Sequence, residues 1–348
     1  MGSALRSRAA HGAAERVRMR SDRTGSRRES LQRPSATSQD RLDRCVSALP
    51  PAYFRSDRGL AYLGDSLQLM RHMPDSSVDL VMTSPPFALQ RSKSYGNEAA
   101  AEYCAWFLEF AKEFRRVLKP KGSLVVEIGG AWNKGLPTKS LYQFELLMAL
   151  CRMPPRPFHL AQEFYWYNPA KLPTPAQWVT VERIRVKDAV TAIWWLAKST
   201  RPNATNRRVL TPYGEAMQSL LKRGYNSGRR PSEHVISEKW NRDNGGAIPP
   251  NVLVVANTQS RDPYLTRCRQ TGIPSHPARF PDQIPNFFIR FLTRPGGLVL
   301  DPFAGSNVVG QEAERLGRFW IAMEKREVYL EGARFRFPVI GKGATSGQ

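Results

Sequence analysis

Two short segments of the chain carry residue types that could do chemistry on a planar ring bearing an amine. The first, residues 83–87, reads TSPPF and follows a compact apolar run over residues 78–82. Two consecutive prolines remove two backbone donors and fix φ, so they make a stiff bend. Such a bend would present the Ser84 hydroxyl and the Pro85 carbonyl as two acceptors for an amine, with the Phe87 ring beside them for stacking. For this motif alone, an ordinary Pro-Pro turn after a strand is the alternative.

The second segment begins at Asp301, reads DPFAGS, and is followed by a predicted helix, a predicted strand and the acidic Glu324. A glycine-rich turn lets a ligand approach the backbone at the edge of a parallel sheet. An acid at the end of the next strand can accept hydrogen bonds from both hydroxyls of a ribose. The arrangement is typical of sites for nucleotides and for S-adenosylmethionine, and the lack of a G-x-G-x-x-G segment argues against NAD. A purely structural strand-to-helix turn is the alternative.

Both segments stand at the ends of predicted strands. Short apolar runs predict strands over residues 61–63, 78–82, 123–128, 191–197, 298–300 and 319–323. Apolar residues at helical spacing predict helices over residues 98–118 and 287–292, the first of them ended by the breaker cluster KPKG. The order of strand, helix and strand predicts an α/β fold with a parallel sheet covered by helices.

The chain is strongly basic, with 52 Lys and Arg residues against 30 Asp and Glu residues, which gives a formal net charge of +22. An excess of this size predicts a polyanionic partner, and nucleic acid is the usual one because phosphate neutralisation releases counterions. Residues 1–52 hold part of this charge and are predicted to be a disordered basic tail, of which residues 1–48 should be dispensable for chemistry. A DNA-binding arm, an organelle transit peptide and sequence upstream of the true start are its three open interpretations.

The cysteines and histidines give no sign of a metal site. Cys45, Cys104, Cys151 and Cys268 are scattered without a C-x-x-C pair, and the five histidines do not complete a ligand set. Unpaired thiols fit a reducing cytoplasm. No apolar run approaches the roughly 20 residues needed to cross a bilayer, so we expect a cytoplasmic protein without membrane contact.

Together the two segments resemble the amino-methyltransferase family of DNA-modifying enzymes. The SPPF segment precedes the glycine-rich turn, as in the circularly permuted β group of this family, whereas protein glutamine methyltransferases carry a related NPPY element after the turn. Several stretches look close to the PvuII-type N4-cytosine modification methyltransferases: residues 64–67, 81–91, 95–97, 184–195, 243–251 and 276–281. One departure is Phe280, where the broader β group often has lysine.

The resemblance implies a Rossmann-like, circularly permuted sheet of S-adenosylmethionine-dependent methyltransferases, with an inserted target-recognition region. It also implies a division of the chain. A basic tail (1–52) would precede a catalytic half (53–130). A target-recognition region with flanking catalytic-domain elements (131–275) would follow, then a cofactor-binding half (276–340) and a short tail (341–348).

Roles for single residues are implied by the same resemblance. The catalytic turn would consist of Ser84, Pro85, Pro86 and Phe87. Asp65 would contact the adenine of S-adenosylmethionine, His276 and Pro277 would help to hold its methionine end, and Glu324 would bind its ribose. The cofactor turn would comprise Asp301, Phe303, Gly305, Ser306 and Asn307. A helix cap for Asp65, a solvated acid for Glu324 and a satisfied loop histidine for His276 are the alternatives.

These motifs predict methylation of an exocyclic amine in double-stranded DNA, with N4 of a flipped-out cytosine as the expected target. Methylation of C5 is disfavoured because that chemistry needs a cysteine in a Pro-Cys turn, and no cysteine here follows a proline. The alternatives are an N6-adenine methyltransferase, which usually has Asp at the position of Ser84, and a non-catalytic DNA-binding protein on this fold. A cognate restriction endonuclease that shares the site without direct binding is the expected functional partner.

DNA contacts are expected in the middle of the chain. This region combines positive charge with aromatic and amide side chains, the mixture used for phosphate and base-edge contacts. The candidates are Arg183, Arg185, Lys187, Arg207, Arg208, Arg229 and Arg230.

Overall fold

The structure is a computed structural model, and it describes residues 36–87, 100–224, 228–229, 235–236, 242–258, 262–279 and 281–338. All of these residues belong to one unit, Pro34–Gln348. Several predictions fall outside the described residues, namely those for residues 1–35 and 339–348, for Phe280 and for the matched stretch over residues 95–97.

A mixed sheet of nine strands forms the centre of the fold. In spatial order its strands are β1 (Phe54–Arg55), β2 (Gly59–Leu63), β11 (Phe319–Glu324), β10 (Leu298–Asp301), β3 (Val78–Thr83), β4 (Leu118–Ile128), β6 (Val190–Ala197), β5 (His159–Tyr167) and β9 (Val252–Val254). The run from β2 to β4 is parallel, and β6 pairs antiparallel with both β4 and β5. A parallel run of this kind brings the carboxyl ends of its strands to one edge.

The helices, a small hairpin and three short helical turns of the described chain surround the sheet. The turns are a π-helix over Gln177–Val181 and 3-10 turns over Asn206–Arg208 and Arg334–Arg336. The helices are α1 (Ala36–Val46), α2 (Ser66–Arg71), α3 (Ala100–Val117), α4 (Tyr142–Arg152), α5 (Glu215–Arg223), α6 (Pro263–Thr271), α7 (Gln283–Leu292), α8 (Val308–Arg315) and α9 (Glu327–Ala333). The hairpin pairs β7 (Gly228–Arg229) with β8 (Val235–Ile236). None of the helices in the described ranges is both long and apolar enough to span a membrane.

Apolar side chains fill both faces of the sheet, which explains why its strands read as continuous apolar runs. Along β3, Val81 belongs to a core with Phe107 and Phe114 of α3. Its neighbours Leu80 and Met82 belong to a second core on the other face, which includes Phe288 of α7. Successive side chains of a strand therefore point into different cores, and packing on both faces fixes the register of the sheet.

The predicted strands and the long helix are present, with small differences at their ends. The predicted helix over 98–118 ends at Val117, because Leu118 already begins β4. The breaker cluster after it is absorbed as an irregularity in β4, where the register with β3 shifts between the pairs Val78–Leu118 and Leu80–Ser123. The predicted α/β architecture with a largely parallel central sheet is thus confirmed.

The prediction of disorder throughout residues 1–52 is wrong for its last part, because Ala36–Val46 forms α1. Leu42 and Cys45 are 2% and 3% exposed and belong to the core on the α3 side of the sheet. The segment is polar on average, so a prediction of disorder from its composition does not detect its few apolar residues. Placed one turn apart on a helix, they still form a face that packs against the sheet.

Strands β3 and β10 are neighbours in the sheet although more than 200 residues separate them, with Leu80 paired to Val299. The segment with Ser84 follows β3 and the segment with Asp301 ends β10, so both motifs meet at one edge. The strand bearing the SPPF turn comes first in the chain, as the permuted order requires. Whether a permutation produced this order stays a prediction.

Candidate active site

A cavity of about 400 Å³ opens at the carboxyl edge of the parallel strands. Four neighbouring strands each contribute a polar side chain to its lining: Ser84 after β3, Glu127 near the end of β4, Asp301 at the end of β10 and Glu324 at the end of β11. Chemistry-bearing groups from distant parts of the chain are therefore brought together by the sheet itself.

The turn after β3 is held by two hydrogen bonds and by the close fit of the Phe87 ring against Gly129. The Thr83 hydroxyl Oγ1 donates a hydrogen bond of 2.8 Å to Oδ1 of Asp301. The hydroxyl of Tyr103, on α3, donates one of 2.8 Å to the carbonyl oxygen of Pro86. Gly129 leaves room for the Phe87 ring, because a Cβ atom at this glycine would lie 2.5 Å from the ring. The turn is fixed before any ligand arrives, and residues 84–87 all line the cavity.

Glu127 is the functional residue that the sequence reasoning missed. Its side chain is buried and lines the cavity, and the pairing of Thr83 with Val126 in β3 and β4 places it beside Ser84. Burial raises the pKa of Glu127 to about 7, although the bond with Ser84 and the charge of Lys171 act to lower it. A lone acid within the apolar run VVEI at the end of a predicted strand was the signal that could have found it.

Asp301 fixes the start of the predicted cofactor turn. Its Oδ1 accepts the bond from Thr83 and a second of 3.1 Å from the backbone N–H of Phe303. Burial raises the pKa of Asp301 to about 7, the charge of Glu324 also raises it, and the two hydrogen bonds lower it. One carboxyl group thus ties the SPPF turn to the cofactor turn.

Glu324 is held by the backbone through both of its oxygens. Oε2 accepts a bond of 2.9 Å from the N–H of Gly305, and Oε1 accepts one of 2.9 Å from the N–H of Arg326. Burial is the largest influence on its pKa and raises it. A carboxylate held in this way has a fixed orientation and still has lone pairs for hydroxyl donors.

The turn itself passes close to the opposite wall. Gly305 has a φ of 49°, and a Cβ atom there would lie 3.0 Å from the ring of His276, so both the backbone conformation and the close approach disfavour a side chain. Asn307 is left-handed as well, and its Oδ1 caps α8 by accepting 3.1 Å from the N–H of Gly310. Its Nδ2 is buried and has no hydrogen-bond partner among the described residues. Asn307 lies behind the lining, whereas Phe303 and Ser306 are part of it.

His276 and Pro277 form the opposite wall. The backbone N–H of His276 donates a bond of 2.8 Å to the hydroxyl oxygen of Tyr264, and ring nitrogen Nδ1 is bonded to the carbonyl of Ala278. Burial lowers the pKa of His276 to about 4, so the imidazole is neutral at physiological pH. The residue therefore shapes the wall and carries no charge there.

Asp65 does serve as a helix cap. Its Oδ1 accepts bonds of 3.0 Å from the N–H of Leu67 and 3.2 Å from the N–H of Gln68, at the start of α2. The residue is also exposed and lines the cavity. Capping fixes the position of its carboxylate, and the two roles are compatible because Oδ1 alone makes these bonds.

An aromatic wall from α3 is a second feature that the sequence reasoning missed. The ring centroid of Phe303 lies 5.7 Å from that of Trp106 and 5.0 Å from that of Phe110. All three residues line the cavity. The apolar spacing of α3 predicts a helix, but spacing alone does not say which of its residues reach a ligand.

Five of the predicted DNA-binding residues are described with their side chains, and none of the five is part of the cavity lining. Arg183, Arg185 and Lys187 stand between β5 and β6, and Arg207 and Arg208 stand in a 3-10 turn. The guanidinium of Arg208 donates to the backbone carbonyls of Phe291 and Thr293, which makes it a packing contact of α7. Arg229 lies in β7 and its side chain is not described, and Arg230 is outside the described residues.

The described part of the chain holds no group of three or more His, Cys, Asp and Glu side chains that could bind a metal ion. Its four cysteines are free thiols, two of them buried.

Comparisons with known proteins agree with this geometry. The family model of N6 and N4 methyltransferases, described as DNA methylase, matches residues 78–335. The type II methyltransferase M.PvuII of Proteus hauseri is 49% identical over 290 residues, which cover 82% of this chain and 85% of that protein. A solved structure of the PvuII DNA methyltransferase (cytosine-N4-specific) matches with a TM-score of 0.68 and 42% identity, over 84% of this chain and 90% of that one. The type II methyltransferase M.BglII of Bacillus subtilis is 23% identical over 81% of this chain and 70% of that protein. The chain therefore belongs to the N6 and N4 DNA methylase family.

Proposed function

We propose that this protein transfers a methyl group from S-adenosylmethionine to the exocyclic N4 amine of a cytosine flipped out of double-stranded DNA. The observation that carries the proposal is that Ser84, buried Glu127 and the Glu324 carboxylate line one cavity. The PvuII DNA methyltransferase, 42% identical in the matched structure, is cytosine-N4-specific, which supports cytosine as the base.

The residues at the cofactor end fit S-adenosylmethionine. The Gly305 turn leaves a space that a side chain would fill, and Glu324 offers a fixed carboxylate for the ribose hydroxyls. Asp65 would accept from the adenine, and His276 with Pro277 would flank the methionine end. When bound, S-adenosylmethionine supplies an electrophilic methyl group on its sulfonium.

Ser84 and Glu127 would act on the amine. The cytosine N4 lone pair is delocalised into the ring, so the amine is a poor nucleophile. With its own hydrogen donated to Glu127, Oγ of Ser84 accepts an N–H of the amine and draws the nitrogen toward a tetrahedral geometry. The positive charge that develops on nitrogen is stabilised by Oγ of Ser84 and by the Glu127 carboxylate behind it. The surplus proton then moves to Oγ of Ser84, while the serine hydrogen passes to the Glu127 carboxylate.

Phe87 would hold the target base. Its ring lines the cavity beside Ser84, and the space at Gly129 keeps it in place. Enzymes that modify a base must take it out of the stack, and an aromatic side chain then replaces part of the lost stacking. The positive charge of the chain, +22 overall, supports binding to the phosphate backbone.

N6-adenine methylation is the second candidate, because the matched family covers both amines. Ser84 favours cytosine, since the resembling adenine enzymes usually carry Asp at this position. A non-catalytic DNA-binding role is a poorer fit, because the cofactor turn and the SPPF turn are both intact and meet in one cavity.

Digestion of product DNA to nucleosides tests the proposal. DNA from a methylation-free host is incubated with the protein and S-adenosylmethionine, and the nucleosides are separated by mass and retention. We expect N4-methylcytosine, and single-molecule sequencing of the same DNA would give the recognition sequence. N6-methyladenine would replace the proposal with the second candidate, and unmodified DNA would favour the binding role.

Three further parts of the proposal concern context. We propose that the enzyme is the modification partner of a restriction endonuclease with the same recognition sequence, as the type II names of its relatives suggest, and that it works in the cytoplasm. We also propose the division into a catalytic half (53–130), a target-recognition region (131–275) and a cofactor-binding half (276–340). Exchange of the middle region with that of a related enzyme should change the methylated sequence.

A further inference from the structure

The chain between β5 and β6, residues 168–189, forms a lobe beside the cavity. The N–H of Asn168 donates 2.8 Å to the carbonyl of Ala189, and the N–H of Asp188 donates 3.3 Å to that of Thr174, so the lobe is closed at its base. Lys171, within the lobe, lines the cavity. The lobe is therefore continuous with the proposed catalytic site.

The lobe has a fixed shape. The ammonium of Lys187 donates to the carbonyls of Pro169 at 3.4 Å and Lys171 at 3.3 Å, which ties its outgoing and returning segments together. Arg185 donates to the carbonyl of Pro137 at 2.8 Å, outside the lobe. These bonds link the two segments of the lobe to each other and join the lobe to the segment around Pro137.

The lobe also exposes large aliphatic side chains. Leu172 is 74% exposed and Val186 is 87% exposed, and Val181 and Ile184 are exposed as well. None of the four belongs to either core. Leaving several aliphatic side chains in water on a fixed surface is unfavourable, and such surfaces are typical of interaction sites.

The charges of the lobe point to the kind of partner. Its cations are Lys171, Arg183, Arg185 and Lys187. They outnumber its two acids, Glu182 and Asp188, and Asp188 is paired with Lys139 from outside the lobe. The partner is thus an anion that also offers apolar surface. Duplex DNA has both, as phosphates outside and base faces within.

We propose that this lobe enters the duplex and that Leu172 occupies the space left in the base stack when the target base is flipped out. Leu172 directly follows Lys171, so of the four exposed aliphatic residues it is the nearest along the chain to the cavity lining. Leucine is one of the side chains that proteins insert between base steps. The inference rests on the proposed function, because it needs a base that moves into the cavity.

The test compares Leu172→Ala with wild type on two duplexes that carry the recognition sequence. In one the target cytosine is paired, and in the other it is mismatched and already partly unstacked. Unstacking costs a few kcal/mol and least for a mismatched base. We expect kcat/KM of Leu172→Ala to fall by about 10-fold or more on the paired duplex and by less than about twofold on the mismatched one. Leu172 is exposed, so the variant should keep the melting temperature of wild type.

Val181→Ala serves as the matched control, since Val181 is 67% exposed on the same lobe but farther along the chain from the cavity. It should behave as wild type on both duplexes. Equal losses for Leu172→Ala on both duplexes, no loss at all, or the same pattern in Val181→Ala would each overturn the role of Leu172. Wild type that is inactive on both duplexes would overturn the proposed function itself, which is a different result.

Discussion

At the scale of single residues, the site depends on a hydroxyl that is oriented by a buried carboxyl. Ser84→Ala removes the acceptor for the amine and leaves unchanged all of the residues proposed to bind the cofactor. We expect the methyl-transfer rate to fall by a factor of about 100 or more, the scale of losing one preorganised polar group. The affinity for S-adenosylmethionine, measured by calorimetry, should stay within about twofold of wild type; a parallel loss of affinity would contradict the assignment.

Glu127 predicts how activity depends on pH. Its pKa of about 7 means that the carboxylate that accepts from Ser84 is lost as pH falls through this value, so kcat/KM should decline below about pH 7. Glu127→Gln should be slower and should lack this acidic limb. Asp301 also has a pKa of about 7, so Asp301→Asn is the control and should keep the limb. If the limb survives in Glu127→Gln and is lost in Asp301→Asn, the limb belongs to Asp301, and the assignment to Glu127 is contradicted.

The same carboxyl predicts a dependence of stability on pH. Folding raises the pKa of Glu127 from 4.5 to about 7, so between these values the folded state binds a proton that the unfolded chain has released. The free energy of unfolding therefore falls as pH rises through this window. Glu127→Gln removes the buried charge, so its melting temperature should fall less than that of wild type between pH 5 and pH 8. Parallel curves for the two proteins would contradict this.

At the scale of elements, one buried arginine joins the C-terminal 3-10 turn to the cofactor turn. The Arg336 side chain is 4% exposed. Its Nε donates 2.6 Å to the carbonyl of Ser306, and its Nη2 pairs with Asp262 at 3.2 Å, at the start of α6. Its Cζ lies 4.3 Å from the ring centroid of Tyr264, whose hydroxyl accepts from the backbone of His276. Both walls of the cofactor end are thus positioned by the same side chain.

Arg336→Met should therefore loosen the cofactor end more than the catalytic end. Charged hydrogen bonds contribute about 1.5–3 kcal/mol each, so we expect the KM for S-adenosylmethionine to rise by about 10-fold or more, with kcat at saturation within about threefold of wild type. Arg336→Lys keeps the charge and should recover part of the loss. Kinetics at varied cofactor concentration give the split between KM and kcat, and a fall in kcat alone would show that Arg336 does not act through the turn.

At the scale of the whole molecule, α1 sets the limit of what can be removed from the N-terminus. The sequence predicts that residues 1–48 are dispensable, but Leu42 and Cys45 are buried in the core on the α3 side of the sheet. Burying one large apolar side chain contributes about 1.5–3 kcal/mol. We expect a chain starting at residue 34 to keep the melting temperature and low-salt activity of the full chain. A chain starting at residue 49 should melt several degrees lower, and equal melting temperatures for the two truncations would contradict a stabilising role for α1.

The sequence by itself determined the local features of this protein. Apolar runs predicted β3, β4, β10 and β11, and turn chemistry placed Ser84 and Asp301 at strand ends. These signals are local because a strand buried on both faces must be apolar, and because two prolines or a glycine restrict the backbone where they stand. Together with their order, they were enough to indicate a methyltransferase of the family that the comparisons then confirmed.

Only the tertiary structure decided which groups share the cavity. Glu127 reads as one more acid within a strand until the register of β3 and β4 brings it to Ser84. In the sequence, Trp106 is one more apolar residue of a predicted helix, and only the structure shows that Phe303 packs against it. Arg336 is likewise one of many arginines in the sequence, and only the structure shows its bond to Ser306. The pKa of Glu127 depends on burial by elements far away in the chain. Such properties arise from contacts between distant segments, and the sequence around a single residue does not specify them.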